Sequence, residues 1–413
     1  MKNRFPNLNP LKDDLSKQKK IDLDKSEIVR ILLQRGQTNS TEIAFITGWS
    51  RPKVLQRLRK LVEIGLIEKI SEDTIQSKKW PNVFRIGKNM GYLVGIDVHV
   101  SDVHIYLSDL NTKILQQQSE IINTGSNPEN VLELARQILL GLISKEQNGS
   151  PDQVLGIGIC VSGSVDFDKS MIVYSSSPQS DWEYFDFRKI FKETFSSALV
   201  VVDSDVNILT LAEKSKLPET SRENFIYVSM GKDIKAGIVS QGNIHRGFNG
   251  CAGNIGHICV DKNGPSCSCG NNGCLNTKAS EIAMVTRALD SIQKNKNSSL
   301  AQKFNTKVDN FCIDDLCKAS LEGDPTALEI MQVAGTMVGE VLAGLANFFV
   351  PSNIIIGGNI RNYDNHFLVS IRSAIYKYAL PLVSANLAVN YSDSNLPDQV
   401  NGTLMMVRDY IFS

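Results

Sequence analysis

The sequence predicts an α/β body with a cleft, preceded by a small basic module with the pattern of a winged helix-turn-helix. Three observations carry this. At 413 residues the chain is long for one core, so two or three domains are expected. Its zero net charge is unevenly divided: residues 1–90 hold 19 Lys+Arg against 10 Asp+Glu, which leaves a matching acidic excess in the remainder. From Tyr92 the pattern changes to strands followed by Gly-rich turns and helices. The boundaries this implies are a polar leader over 1–24, the basic module over 25–88 and the body over 89–413.

In the basic module, Ile28, Ile31 and Leu32, flanked by Val29 and Leu33, recur at helical spacing from Ser26 to Gln34, and Arg35-Gly36 stops the run. Asn39-Ser40-Thr41-Glu42 supplies an N-cap ahead of Ile43, Ala44 and Ile46, and Gly48 ends that short helix. Ser50 and Pro52 open a third helix, about Arg51 to Ile64. Its inner stripe is Val54, Leu55, Leu58, Leu61 and Val62, and Lys53, Gln56, Arg57 and Lys60 fall opposite. Glu68–Ile70 and Val83–Ile86 then bracket a polar tip with Lys78, Lys79 and Trp80. A basic third helix after a Gly turn is the arrangement that enters a DNA major groove. Arg51, Lys53, Gln56 and Arg57 are placed to read bases, and Lys60, Lys78 and Lys79 to contact phosphates. The competing reading is a solvated basic face on an ordinary helical bundle.

In the body, Leu93–Val98 and Val103–Leu107 predict a hairpin and Asn127–Leu142 a helix. Leu155–Val161, Leu199–Val202, Phe225–Ser229, Gly237–Ser240 and Ile354–Ile356 predict strands, and a helix runs from Asp205 through Glu213. The longest apolar stretch, Val333 to Val350, contains Glu340 and Asn347 and so predicts a buried helix, not a membrane span. Residues 1–25 are polar and carry Lys2, Arg4, Lys12, Lys17, Lys19 and Lys20 without an apolar run, so no secretory leader is expected. Half of the eight cysteines lie in or beside one motif, a usage that suits a reducing cytoplasm.

That motif is His257 followed by Cys267-Ser268-Cys269-Gly270-Asn271-Asn272-Gly273-Cys274. Three thiolates and an imidazole satisfy the tetrahedral preference of zinc, and a closed four-ligand set marks a structural Zn2+ held by His257, Cys267, Cys269 and Cys274. The alternative is a loop of unpaired or disulfide-bonded cysteines.

This motif, with Gly156-Ile157-Gly158, Ser162-Gly163-Ser164-Val165-Asp166, Asp205-Val206-Asn207 and Ile356-Gly357-Gly358, resembles the ROK family of sugar-responsive repressors and sugar kinases from about Ser26 to the end. The resemblance implies an actin/hexokinase-like, ribonuclease H-like fold of two lobes around a sugar cleft. It departs from the kinases at their phosphate loops. Asp97-Val98-His99-Val100-Ser101 stands for Asp-x-Gly-x-Thr, and Gly231-Lys232-Asp233-Ile234-Lys235-Ala236-Gly237 stands for Gly-Thr-Gly-x-Gly-x-Gly. Phosphoryl transfer depends on positioning the phosphates, so no kinase activity is expected.

The resemblance makes Asp205 a relic of the general base, still able to accept a sugar hydroxyl. It places Ser204, Asn254, His257 and Asn276 around the same sugar, with Gly163, Ser164 and Ser176 lining the cleft. Asn254 and Asn276 replace carboxylates of the kinases by amides that both donate and accept. The implied protein is a cytoplasmic repressor of carbohydrate-utilisation genes, a homodimer or homotetramer on a palindromic operator, relieved by a monosaccharide or derivative. The competing readings are an ATP-dependent hexose or N-acylhexosamine kinase with an appended DNA-binding domain, and a regulator controlled by a partner protein.

Overall fold

The computed structural model describes residues 23–70, 82–87, 91–123, 126–174, 180–304, 310–359, 365–393 and 398–412. Lys78, Lys79, Trp80 and Ser176 lie outside them, as does the leader to residue 22. The N-terminal module runs α1 (Leu23–Arg35), β1 (Gln37–Asn39), α2 (Ser40–Thr47), α3 (Arg51–Glu63), β2 (Ile67–Ile70) and β3 (Val83–Ile86), with strand order β1-β3-β2. The predicted cap forms: Asn39 Oδ1 accepts from Thr41 N and Glu42 N, each at 3.0 Å, and Gly48 closes α2 in the left-handed region at φ 68°. Ile28, Val29, Leu32, Ile43, Val54, Leu58, Leu61, Phe84 and Ile86 are buried and make the module's core. Truncating a fully buried leucine such as Leu58 to Ala costs about 2–5 kcal/mol in such a setting.

Two details differ from expectation. Val62 is 38% exposed, and Leu55 is only half-buried, because at 100° per residue both sit on the flanks of the Val54–Leu58–Leu61 stripe. Ser50 occupies the N-cap of α3, but its side chain makes no capping bond.

The chain divides into two compact units, the first gathering residues up to 162, 166–203 and 403 onward, the second 163–165 and 204–402. The first holds β4 (Tyr92–Val98), β5 (Asp102–Ser108), β6 (Ile114–Ile121), β7 (Val154–Val161) and β10 (Leu199–Ser204) in a sheet of order β10-β7-β4-β5-β6, with the short strands β8 (Ser164–Asp166) and β9 (Met171–Tyr174) falling between β7 and β10 in sequence. Strands β4, β5 and β6 form an antiparallel meander, and β7 pairs parallel with β4. The helix expected over Asn127–Leu142 is α4 (Pro128–Ser144), capped by Asn127, which accepts from Asn130 N at 2.9 Å, and α5 (Phe187–Lys192) follows.

The second unit repeats the plan. Strands β11 (Phe225–Met230), β12 (Lys235–Ser240) and β13 (Asn243–Ile244) form an antiparallel meander, and β14 (Asn353–Gly358) and β15 (Ala388–Tyr391) add in parallel beyond β11. Its order, β13-β12-β11-β14-β15, is that of the first sheet. Its core joins Ile226, Val228, Ile354 and Ile356 to the long helix Pro325–Phe349. That helix is long and apolar enough to cross a membrane by length and composition, but it buries Ile330, Met331, Ala334, Val338 and Leu342 in this core, as its sequence predicts.

Candidate functional site and metal centre

Strand β10 ends at Ser204, which caps α6 (Asp205–Lys216) by accepting from Asn207 N at 3.4 Å. Ser204 is buried, and Asp205 is set at the first turn of the helix, where N–H groups favour a carboxylate. Its Oδ1 accepts from Val206 N at 2.8 Å. Lys235, first residue of β12, brings Nζ to 3.2 and 3.4 Å from the two Asp205 oxygens. Both side chains are half-buried, so breaking this pair costs between the ~1 kcal/mol of an exposed pair and the 3–5 of a buried one. Sequence reasoning placed Lys235 in a phosphate loop and Asp205 on a sugar, and it missed their pairing. Thirty residues separate them, and nothing local signals the approach. Gly237 of the same loop is held by packing: a Cβ there would lie 1.8 Å from Thr210 Oγ1 of α6.

Asn276 opens α7 (Asn276–Ala279) and is nearly buried, at 9% exposure. Its Oδ1 accepts from Ile234 N at 2.8 Å, and its Nδ2 donates to Asp233 Oδ1 at 3.1 Å. The amide therefore clasps the turn between β11 and β12. Asn254 donates through Nδ2 to Cys251 O at 3.1 Å and to buried Ser164 Oγ at 3.4 Å. Gly163, next to Ser164, takes φ 135°. The predicted polar set thus falls into an Asp205–Lys235 pair, an Asn254–Ser164 pair and Asn276 on the 231–235 turn.

The four metal-type ligands converge, their donor atoms all within 4.8 Å of one another. Cys269 Sγ and Cys274 Sγ are 3.7 Å apart, and His257 Nδ1 lies 3.5 Å from Cys267 Sγ. A disulfide needs sulfurs at about 2 Å. Two thiolates sharing a tetrahedral ion at about 2.3 Å sit about 3.8 Å apart. The spacing fits the metal and not the bond, and among the described residues, which include all eight cysteines, there is no disulfide. With Nδ1 facing the sulfurs, His257 Nε2 is the nitrogen left for another partner. The loop turns through Gly273 at φ 64°, where a Cβ would lie 1.6 Å from Asp261 O. Burial pushes the Cys274 thiol up to about 12, while the Asn271 backbone N–H pulls Cys269 down. A metal entering this set therefore displaces protons.

On α3, Arg51, Gln56 and Lys60 are exposed, and Lys53 and Arg57 are half-buried. Lys53 Nζ sits 4.1 Å from the Trp49 ring centroid, within cation–π range. Arg59 is also exposed on this helix and is a basic residue the sequence reading passed over.

A helix-turn-helix module joined to a duplicated α/β body with a Cys3His loop defines a DNA-binding chain built on a sugar-kinase-like fold. The chain belongs to the ROK family, which residues 93–409 match, and residues 22–69 match the bacterial regulatory protein, arsR family. It is 27% identical over 351 residues to the xylose repressor of Bacillus subtilis (strain 168), covering 84% of this chain and 85% of that one. It is 29% identical over 384 residues to the DNA-binding transcriptional dual regulator NagC of Escherichia coli (strain K12), covering 92% and 90%. Among solved structures it resembles a ROK family transcriptional regulator described as a homolog of the E. coli MLC protein, with TM-score 0.80, 23% identity and coverage of 94% and 96%. A ROK family glucokinase from Streptomyces griseus matches with TM-score 0.63, 22% identity and coverage of 77% and 100%. These two structural likenesses show the fold.

Proposed function

We propose that the chain is a cytoplasmic transcriptional repressor of carbohydrate-utilisation genes, released by a monosaccharide or derivative. The observation that carries this is that similarity to two named sugar-gene regulators runs through most of both chains, together with a helix-turn-helix match at residues 22–69. Arg51, Lys53, Gln56 and Arg57 read bases, and Lys60, Lys78 and Lys79 hold phosphates. A homodimer or homotetramer presents two such helices to a palindromic operator with half-sites one or more helical turns apart. The sugar is bound by Ser204, Asp205, Asn254, His257 and Asn276, with Gly163, Ser164 and Ser176 beside them. It acts by binding one arrangement of the body more tightly than the other.

His257, Cys267, Cys269 and Cys274 hold a structural zinc, which fixes the loop that carries His257 and leads into Asn276. The pairing of Lys235 with Asp205 supports a binding site without kinase chemistry: the ammonium already occupies the carboxylate oxygens, and a sugar hydroxyl must compete with Lys235 for them. Gel-shift titration on the gene's own upstream DNA with a panel of sugars tests the reading, and absence of binding to any such fragment sinks it. A hexose kinase is the second reading, favoured by the retained Asp205, and turnover of any hexose with Mg-ATP in a coupled assay would establish it.

A further inference from the structure

The hairpin that opens the first sheet carries a second cluster of metal-type side chains, far in sequence from the cysteine loop. His99 N donates to Asp102 O at 2.9 Å, closing the turn between β4 and β5. Asp102 and His104 alternate with buried Val103 and so share the half-exposed face of β5. His104 stands opposite Ser119 of β6, and its ring is held from both sides. Nδ1 lies 2.6 Å from Ser119 Oγ, and Nε2 lies 2.8 Å from Asp102 Oδ1. The His99 ring meets the His104 ring edge-on at 5.4 Å between centroids. One donor atom from each of His99, Asp102 and His104 lies within 4.8 Å of the others.

We propose that His99, Asp102 and His104 form a second metal site, which takes a divalent transition ion of the nickel, copper and zinc class and leaves coordination positions open to water. Two imidazoles and one carboxylate on a single face are the donor set those ions favour, and without a thiolate the set differs in kind from the cysteine loop. Ligands at about 2.1 Å and at right angles are about 3 Å apart, which is the separation of His104 Nε2 from the Asp102 oxygen. Ser119 supplies the outer contact that ligating histidines need: by accepting from Nδ1–H it fixes the tautomer whose Nε2 lone pair faces the ion. The bridging sheet pairs make this contact rigid, since residues 104 and 119 are directly opposed in the ladder.

The test uses the untagged full-length protein, first loaded with one equivalent of zinc, then dialysed against nickel and measured by elemental analysis. One nickel per chain is expected. Ser119→Ala, which removes only the outer contact, weakens binding by about 10–100-fold, and His104→Gln or Asp102→Asn by more than that. Bound copper shows two nitrogen couplings in its electron paramagnetic resonance spectrum. Nickel uptake no greater than that of a His99→Ala/His104→Ala variant overturns the proposal and leaves a hydrogen-bonded triad only. The assay uses neither DNA nor sugar, so its outcome is independent of the repressor reading.

Discussion

Replacing Asn276 with Asp keeps the shape of the side chain and reverses half of its hydrogen bonding. The acceptor to Ile234 N survives, but the Nδ2–H donor to Asp233 becomes a carboxylate oxygen 3.1 Å from another. At an effective dielectric of about 20, two unit charges at that separation repel by about 5 kcal/mol. Asp233 is half-buried, so solvent screening reduces the expected cost to about 2–4 kcal/mol. Asn276→Ala removes the repulsion but leaves the buried Ile234 N–H unpaired, at about 1–3 kcal/mol. The described tryptophans, Trp49 and Trp182, lie outside the unit that holds this turn, so hydrogen–deuterium exchange of residues 231–237 is the suitable readout. Asn276→Asp should speed exchange there by about 30–1000-fold, since each 1.4 kcal/mol is a factor of ten. Adding Asp233→Asn restores a donor and should recover most of the loss, whereas it should do little for Asn276→Ala. If Asn276→Asp exchanges no faster than Asn276→Ala, or Asp233→Asn fails to rescue it, the clasp is not what orders the turn.

Three further outcomes follow from the same geometry. Cys269→Ser removes one of four zinc ligands; structural zinc is worth about 12 kcal/mol, so about 3 kcal/mol and roughly a hundred-fold in affinity should go, read by chelator competition. Unchanged sugar sensitivity in the zinc-free variant would refute the supporting role of the metal. Glu281 is buried, among the described residues its Oε1 has no partner, and burial raises its carboxyl above the ordinary 4.5. The protonated form is therefore favoured in the fold: its contribution is complete below 4.5 and is lost as pH rises through the raised value. Glu281→Gln should be more stable than the parent by about 1–3 kcal/mol at pH 8 with little difference at pH 4, and parallel urea titrations showing no such pH dependence would count against it. On DNA, Gln56→Ala should cost about 1–3 kcal/mol and relax sequence discrimination, while Lys60→Ala should lower the salt slope by about one. Anisotropy titrations that weaken specific and random DNA equally for Gln56→Ala would remove it from base reading.

Local signals made much of the fold legible. Asn39 announced its helix because a cap is a contact between residues two or three apart. Buried strands such as Val154–Val161 announced themselves as apolar runs. The strand Ile114–Ile121 escaped, because it lies at the edge of its sheet with mostly exposed Gln, Ser and Glu side chains and has little alternation to read. Gln37–Asn39 escaped as well: three residues beside a helix cap are a strand only because Phe84 and its neighbours lie alongside. At the candidate site the residue types were readable and their partners were not. Lys235 with Asp205, and Asn276 with Asp233, are products of chain segments brought together by β12 and α7, information that no window of sequence contains.

The matching strand order of the two sheets gives the molecule an internal control. The turn after β4 and the turn after β11 hold equivalent places in two copies of one scaffold, yet one displays His99 and leads into Asp102, and the other displays Lys232 and Asp233. Exchanging the two turns within one chain would preserve composition, length and overall charge. Whatever property moved with a turn would belong to its side chains, and whatever stayed would belong to the sheet that carries it.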